Sequence, residues 1–233
     1  MAATDRLWCV VPAAGSGQRF GADVPKQYLP LAGKPMLLRT LERLALCNEI
    51  GGLMVVLAAD DKRWPSLDEI AGKPVQTAIG AAERSGSVLA GLRALPDDVA
   101  AEDFVLVHDA ARPCVRAADI ARLVDLGIPA GGALLAAPVR DTLKRSSDDR
   151  RVSATQPREQ LWRALTPQLF RRDELVAALE RAQADRIAVT DEAMAMERAG
   201  MRPLLVEGSE DNIKVTTPAD LALAAFLLDR AED

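Results

Sequence analysis

Histidine is almost missing from this 233-residue chain, in which His108 stands alone. A polyhistidine metal centre is therefore excluded. Cysteine is scarce as well: Cys9, Cys47 and Cys114 are odd in number and far apart. Without a Cys-x-x-Cys pair, neither a disulfide framework nor a zinc site is supported, and a reducing cytoplasm is the expected compartment. No apolar run approaches the roughly 18–20 residues that span a bilayer. The opening MAATDRLWCVVPAAG lacks a basic segment followed by an apolar stretch and a cleavage site, so no secretory leader is expected. Excess positive charge is also lacking: 29 Lys and Arg face 34 Asp and Glu, a net charge of -5. That argues against bulk nucleic-acid binding, yet leaves room for a small anion met by a few clustered cations. What remains is ordinary globular composition, 49% hydrophobic and 27% charged, at a length that suits one large α/β domain over residues 1–233. Chemistry must rest on carboxylates, cations, hydroxyls and backbone amides.

Along the chain, short apolar runs alternate with helical spacing. Leu7–Pro12, Leu53–Ala58 and Phe104–His108 read as buried strands, Pro74–Ile79 as a weaker one, and Gly132–Val139 as strand-like. Lys34–Leu46, Ser87–Leu95 and Ala118–Leu126 read as helices. Continuous apolar strands between amphipathic helices predict a mainly parallel sheet covered on both faces, which binds ligands at the carboxyl ends of its strands. The rhythm breaks at Arg140–Pro157, a polar stretch read as a two-stranded ribbon turning near Ser147–Arg150, with a solvated loop as the alternative. Helices return at Arg171–Ala184 and Thr190–Ala199, then a strand at Pro203–Val206. A last helix spans Pro218–Arg230, with Thr217 as its N-cap.

The strongest local feature follows the first strand: Pro12-Ala13-Ala14-Gly15-Ser16-Gly17-Gln18-Arg19-Phe20, then Pro25-Lys26-Gln27-Tyr28-Leu29. Small residues and glycines let the backbone approach a ligand and aim N–H groups at anionic oxygens. Arg19 and Lys26 add charge where a phosphate chain would lie. The pattern is not Walker A, and Phe20 occupies the third glycine position of the dinucleotide fingerprint. Taken alone, the segment is equally a structural turn with incidental cations. Further on, Asp109 closes a buried strand, where a carboxylate suits Mg²⁺ or caps a turn.

The segment VVPAAGSGQRFG-ADVPKQYLPLAGKPML resembles the signature of nucleotidyltransferases that join a sugar or polyol phosphate to a nucleoside triphosphate. Within them it is most similar to the methylerythritol phosphate cytidylyltransferase family. GAAERSGSVLAGL, LVHDAARPCV, AAPVRDTLKR, LWRALTPQLF, VTDEAMAME and VEGSEDNIKVTTPADL match in order, so the resemblance covers essentially the whole chain. It implies a Rossmann-like α/β fold, a mainly parallel sheet with helices on both faces, plus a protruding β-arm at residues 140–158 used in dimerisation. It implies Mg²⁺, held by Asp109 and Asp211. Arg19, Lys26 and Lys214 would act on the triphosphate. Ala13, Ala14, Gly15, Gly17 and Ser87 would bind the nucleotide. Arg112, Thr142, Arg158, Thr166 and Thr190 would bind the polyol phosphate, with Thr142 and Arg158 supplied by the neighbouring subunit of a homodimer. His108 is read as packed beside the site, because transfer to an ionised phosphate needs no general base. One departure stands out: the family's glycine pair with a following acidic residue is Gly80-Ala81-Ala82-Glu83-Arg84 here, and Ala82 supplies no carboxylate.

The function so implied is transfer from CTP to 2-C-methyl-D-erythritol 4-phosphate, releasing pyrophosphate, in non-mevalonate isoprenoid precursor synthesis. No nucleic-acid or membrane partner is expected. Two rivals share the motifs: a ribitol 5-phosphate cytidylyltransferase, distinguished by the pocket around Arg158 and Thr166, and a non-catalytic nucleotide sensor. Retention of Arg19, Lys26, Asp109 and Lys214 together speaks against the sensor.

Overall fold

A computed structural model describes residues 7–15 and 24–230. Its first strand, β1 (Leu7–Pro12), is followed by a small hairpin, β2 (Pro30–Leu31) and β3 (Lys34–Pro35), and then α1 (Met36–Ala45). Next come β4 (Ile50–Leu57), β5 (Glu69–Ile70), β6 (Lys73–Ile79), α2 (Arg84–Arg93) and β7 (Phe104–Val107). The second half holds α3 (Ala117–Gly127), β8 (Ala133–Pro138), β9 (Leu143–Ser146), β10 (Val152–Gln156), β11 (Trp162–Arg171), α4 (Arg172–Ala184), α5 (Glu192–Arg198), β12 (Leu204–Glu207) and α6 (Pro218–Asp229). Among the described residues no helix is long and apolar enough to cross a membrane.

An eight-stranded sheet runs in the order β12-β8-β11-β7-β1-β4-β6-β5. β1 pairs in parallel with β4 on one side and β7 on the other. The chain winds outward from β1 through α1 to β4 and β6, then returns through α2 to β7. The carboxyl end of β1 is therefore a point of reversal, where open α/β sheets form their ligand crevice.

The apolar runs of β1, β4, β7 and β8 form strands buried on both faces, whereas β6 is largely exposed. In β1, Cys9 and Val11 join a core with Leu37 and Leu41 of α1 and Ile120 of α3. Val10 points the other way, into a core with Val88 and Leu92 of α2 and Leu175 of α4. The period-2 alternation of side chains across a strand sends adjacent apolar residues to opposite layers. Gly91 lets α2 lie close: a Cβ there would sit 2.6 Å from side-chain carbons of both Val10 and Val56.

The largest departure from the sequence reading is β11, which had no counterpart in it. This ten-residue strand lies antiparallel between β7 and β8. Pro167 argues against a central strand, but the register with β8 breaks between Ala164 and Gln168, and irregularities are where a strand tolerates proline. Smaller corrections concern helix starts. Lys34 and Pro35 belong to β3 rather than α1, and α2 begins at Arg84 rather than Ser87. Arg84-Ser85-Gly86 is thus the first helical turn. Thr217 does cap α6, in a full capping box with Asp220 and with proline following it. Residues 140–157 contain an antiparallel pair, β9 with β10, which forms its own two-stranded sheet.

Candidate active site

Three turns at the carboxyl edge of the sheet enclose a cleft of about 430 Å³. The first turn leaves β1. Ala13 donates its N–H to the Val56 carbonyl at 2.7 Å, and its own carbonyl accepts from Gln27 Nε2 at 2.7 Å. Gln27 is buried, so this bond clasps the Lys26–Tyr28 turn to the strand end and sets Lys26 on the cleft wall beside Ala14 and Gly15. Gly17 and Arg19 lie outside the described residues. The second turn leaves β6 at Gly80. A Cβ on Gly80 would stand 2.6 Å from the Ala14 Cβ and 2.8 Å from Ser87 Oγ, so only glycine lets these two turns meet.

Ser87 lines the cleft but does not cap α2. Glu83 holds the N-cap position, without a side-chain cap bond. The buried Ser87 hydroxyl accepts the Ala81 N–H at 3.0 Å and lies 3.1 Å from the carbonyls of Ala81 and Glu83. It therefore pins the 81–83 loop. Ala81 and Ala82 form cleft wall.

The third turn follows β7 and carries Asp109. Its Oδ2 sits 2.9 Å from Lys214 Nζ and 3.4 Å from Arg112 Nε, and its Oδ1 accepts from Arg84 Nε at 3.0 Å. Burial works against a charged carboxyl, but Arg84, Lys214 and Arg112 outweigh it and hold Asp109 far below the usual carboxylate range. Asp109 is ionised at any pH at which the protein works. Lys214, with its side chain 40% exposed, faces the cleft opposite Lys26.

His108 is fully buried, and burial lowers its pKa to about 4. Both ring nitrogens are occupied. Nε2 lies 3.0 Å from the Arg112 carbonyl, and Nδ1 lies 2.9 Å from Thr166 Oγ1. A carbonyl only accepts, so Nε2 carries the proton and Nδ1 accepts from the threonine hydroxyl. That hydroxyl in turn accepts the Asp109 N–H at 3.1 Å. The reading of His108 as packed beside the site agrees with this geometry. Thr166 is equally committed: it organises the Asp109 turn and does not line the cleft.

The other anticipated residues divide. Arg112 is buried, donates to the Asn212 carbonyl at 2.7 Å, and lies behind Asp109 rather than on the cleft wall. Asp211 is not brought to Asp109. It forms an exposed ion pair with Arg116 and is absent from the cleft wall. The expected pair of metal carboxylates is thus not assembled, because the tight turn at Asp211–Ile213 presents Lys214 to the cleft and Asp211 to Arg116. Among the described residues no group of three His, Cys, Asp or Glu side chains could hold a metal ion. Thr142, Arg158 and Thr190 are exposed and off the cleft wall, and Arg158 donates to the Arg140 carbonyl.

Sequence reasoning missed Arg84 and Glu192. Arg84 Nη1 and Nη2 donate to the two oxygens of fully buried Glu192 at 2.6 and 3.1 Å. Burial opposes the Arg84 charge, yet Glu192 and Asp109 raise its pKa above the ordinary value. The partners are 108 residues apart, and no local pattern marks such a pair. The only available hint was that a glutamate at a helix start, beside the capping Asp191, needs a cation if it is buried.

The arrangement brings Lys26, Lys214, Arg84, the backbone of Ala13–Gly15 and the acidic residues Asp109 and Glu83 to a single cleft, which suits a polyphosphate. Comparisons with known proteins agree. Residues 7–230 match the family model IspD, 2-C-methyl-D-erythritol 4-phosphate cytidylyltransferase. The chain is 60% identical to the protein of that name from Stenotrophomonas maltophilia (strain K279a), over 96% of this chain and 97% of that one. It is 58% identical to the one from Xanthomonas campestris pv. campestris (strain 8004), over 97% of this chain and 85% of that one. The crystal structure of the Francisella tularensis enzyme superposes with a TM-score of 0.82 at 32% identity, covering 96% of this chain and 100% of that one. On motifs, fold and full-length similarity together, the chain belongs to the 2-C-methyl-D-erythritol 4-phosphate cytidylyltransferase family.

Proposed function

We propose that this chain transfers the cytidylyl group of CTP to 2-C-methyl-D-erythritol 4-phosphate, giving 4-CDP-2-C-methyl-D-erythritol and pyrophosphate, in the non-mevalonate route to isoprenoid precursors. The observation that carries this reading is the convergence of Lys26 and Lys214 on the cleft at the end of β1, in a chain of this family. An ionised oxygen of the acceptor phosphate attacks the α-phosphorus of CTP in line. The bond from that phosphorus to the oxygen bridging to the β-phosphate breaks, and pyrophosphate leaves with the electron pair. No proton has to be removed, which accords with a histidine tied at both nitrogens. Lys26, Lys214 and Arg19 meet the charge that grows on the α-phosphoryl oxygens and the leaving group; positioning and electrostatics carry such transfers. Backbone N–H groups of Ala14, Gly15 and Gly17 hold the phosphates, Ala13 lines the nucleotide site with its N–H tied to Val56, and Ser87 serves the nucleotide through the loop it pins.

Mg²⁺ would be held in this cleft by Asp109 together with the substrate phosphates, since one carboxylate plus substrate phosphates is a usual magnesium donor set. When bound, the ion neutralises triphosphate charge and polarises phosphoryl oxygens. Asp211 is not assigned to it. Arg112 and Thr166 serve the acceptor end from behind Asp109, and Thr190 serves it from the loop before α5. Thr142 and Arg158 reach a neighbouring subunit's cleft in a homodimer. Residues 1–233 act as one nucleotidyltransferase domain, 140–158 are its arm, and the enzyme works in the cytoplasm. The exposure of Thr142 and Arg158 at the two ends of the ribbon supports the shared site.

The test supplies CTP and Mg²⁺ with either 2-C-methyl-D-erythritol 4-phosphate or ribitol 5-phosphate and measures pyrophosphate. Release with the first, abolished by EDTA and restored by Mg²⁺, is expected. Preference for ribitol 5-phosphate would move the enzyme to the sister activity. CTP binding without release from either acceptor would favour a sensor.

A further inference from the structure

Arg84 joins the cleft to α5. Two of its nitrogens grip Glu192 at 2.6 and 3.1 Å, and a third, Nε, donates to Asp109 Oδ1 at 3.0 Å. Guanidinium donors lie in one rigid plane, so bonds to two carboxylates fix its orientation. The second oxygen of Asp109 is thereby left for Lys214 at 2.9 Å, with Arg112 Nε farther off at 3.4 Å. Without the Glu192 grip, Arg84 is free to turn its fork on Asp109, which occupies both carboxylate oxygens in the bidentate geometry that arginine favours and displaces Lys214.

Glu192 is itself well seated. Asp191 caps α5 by accepting the Met194 N–H at 2.9 Å. Gln168 of β11 donates to Asp191 Oδ2 at 3.0 Å and accepts the Ala193 N–H at 2.7 Å. An unbroken series of contacts therefore runs from β11 through α5, Glu192, Arg84 and Asp109 to Lys214. Glu192 is fully buried and does not line the cleft, so it contacts no nucleotide there.

We propose that Glu192 is a positioning residue for the transfer: by holding Arg84 through two hydrogen bonds, it limits Arg84 to a single bond with Asp109 and keeps Lys214 aimed into the cleft. Its catalytic consequence rests on the cytidylyl-transfer reading; the Glu192–Arg84 coupling does not.

Three variants test this: Glu192→Gln, which keeps the shape and removes the charge, Arg84→Met, and the double variant. Two readouts are taken. The first is the Arg84 Nε–H resonance in a ¹H–¹⁵N NMR spectrum, identified by its loss in Arg84→Met. The second is kcat and KM for CTP. In Glu192→Gln the resonance shifts or broadens away while the backbone amide spectrum persists, and kcat falls about 10- to 100-fold, the scale of a small misplacement at a reacting centre. KM for CTP stays within about threefold, because binding shared by ground and transition states is untouched. The double variant turns over no more slowly than Arg84→Met alone, since Glu192 acts only through Arg84 and the two losses do not add.

An unchanged resonance in Glu192→Gln, a kcat close to wild type, or losses that multiply in the double variant would overturn the proposal. The last result would mean that Glu192 merely holds α5. If Glu192→Gln does not fold, the double variant, which leaves no buried charge unmatched, takes its place. Turnover no slower than that of Arg84→Met then supports the proposal, and turnover clearly below it overturns it. If the wild-type protein releases no pyrophosphate, the cytidylyl-transfer reading fails, while the resonance still decides the coupling.

Discussion

Charge is dense in two regions of this molecule, and the fold treats them differently. At the carboxyl edge of the sheet, Arg84, Asp109, Arg112 and Glu192 are buried or half-buried and matched atom by atom. Along the β9–β10 ribbon, Lys144, Arg145, Asp149 and Arg151 are exposed and meet one another, the ribbon's own polar groups or solvent. Buried pairs are rigid because each partner's desolvation is recovered only in one geometry. Exposed pairs hold no such geometry. The cleft therefore carries its own structural support, whereas the ribbon's side chains acquire fixed positions only against something else. In the proposed dimer, that is the acceptor end of the other subunit's cleft.

The largest effect should come from the two lysines that face the cleft. Lys26→Ala and Lys214→Ala should each slow turnover roughly 10²–10³-fold, the scale of losing one preorganised donor at a developing anion. Both should remain folded. Near-normal turnover in either would remove that lysine from the charge-stabilising role. Asp109→Asn should show the other side of the cleft, its dependence on matched charge. It leaves Arg112 and Lys214 without their carboxylate and should cost about 3 kcal/mol in urea unfolding, the low end for breaking a buried pair. The low end applies because Arg84 keeps Glu192 and Lys214 can turn to solvent.

Acid should act on the same region. The folded His108 pKa of about 4 lies below the ordinary value of 6.5, so the unfolded chain takes up that proton first. The stability linked to neutral His108 is fully present above pH 6.5 and is lost as pH falls through 4, a total of about 3 kcal/mol. Asp109 has the same sign in a lower window: its depressed pKa gives stability that is present above the ordinary carboxylate range and lost only in stronger acid. Unfolding at pH 7 and pH 4.5 should therefore differ less in His108→Gln than in wild type. An equal difference in the two would mean that His108 is not the responsible group. The smallest effect belongs to the ribbon. Asp149→Ala should leave Tm unchanged and turnover normal, since its ion pair with Arg151 is exposed; a clear drop in Tm would show that the ribbon is more tightly held than its exposure indicates.

Much of the cleft could be read from sequence because its parts are local. An apolar run ending in a glycine-rich turn gave β1 and the Lys26 wall, and Phe104–His108 ending in Asp109 gave the opposing turn. What escaped is non-local or ambiguous in pattern. β11 carries Pro167 and lacks alternation, and only its place between β7 and β8 makes it a strand. The Arg84–Glu192 pair is brought together because α2 and α5 both pack against α4, which neither segment announces. The resemblance groups Asp211 with Asp109 around a metal, but the turn between Asp211 and Lys214 sends these two side chains to different partners, Arg116 and Asp109. A hydroxyl beside a loop looks alike in sequence whether it serves a ligand or the backbone, so the bonds by which Ser87 and Thr166 pin their turns were not legible.

The most direct test of the account asks whether the cleft acts in cis and the ribbon in trans. Lys26→Ala damages the cleft and Arg158→Ala damages the ribbon's end, and each variant alone should be nearly inactive. In a mixed dimer with the ribbon acting in trans, one site carries both lesions and the other carries none. After subunit exchange, activity should recover to at most about a quarter of wild type, because random exchange makes half the dimers mixed and two-fold symmetry leaves one intact site in each. No recovery, with exchange confirmed independently by mass spectrometry of tagged subunits, would contradict the shared site and return Arg158 to its own subunit.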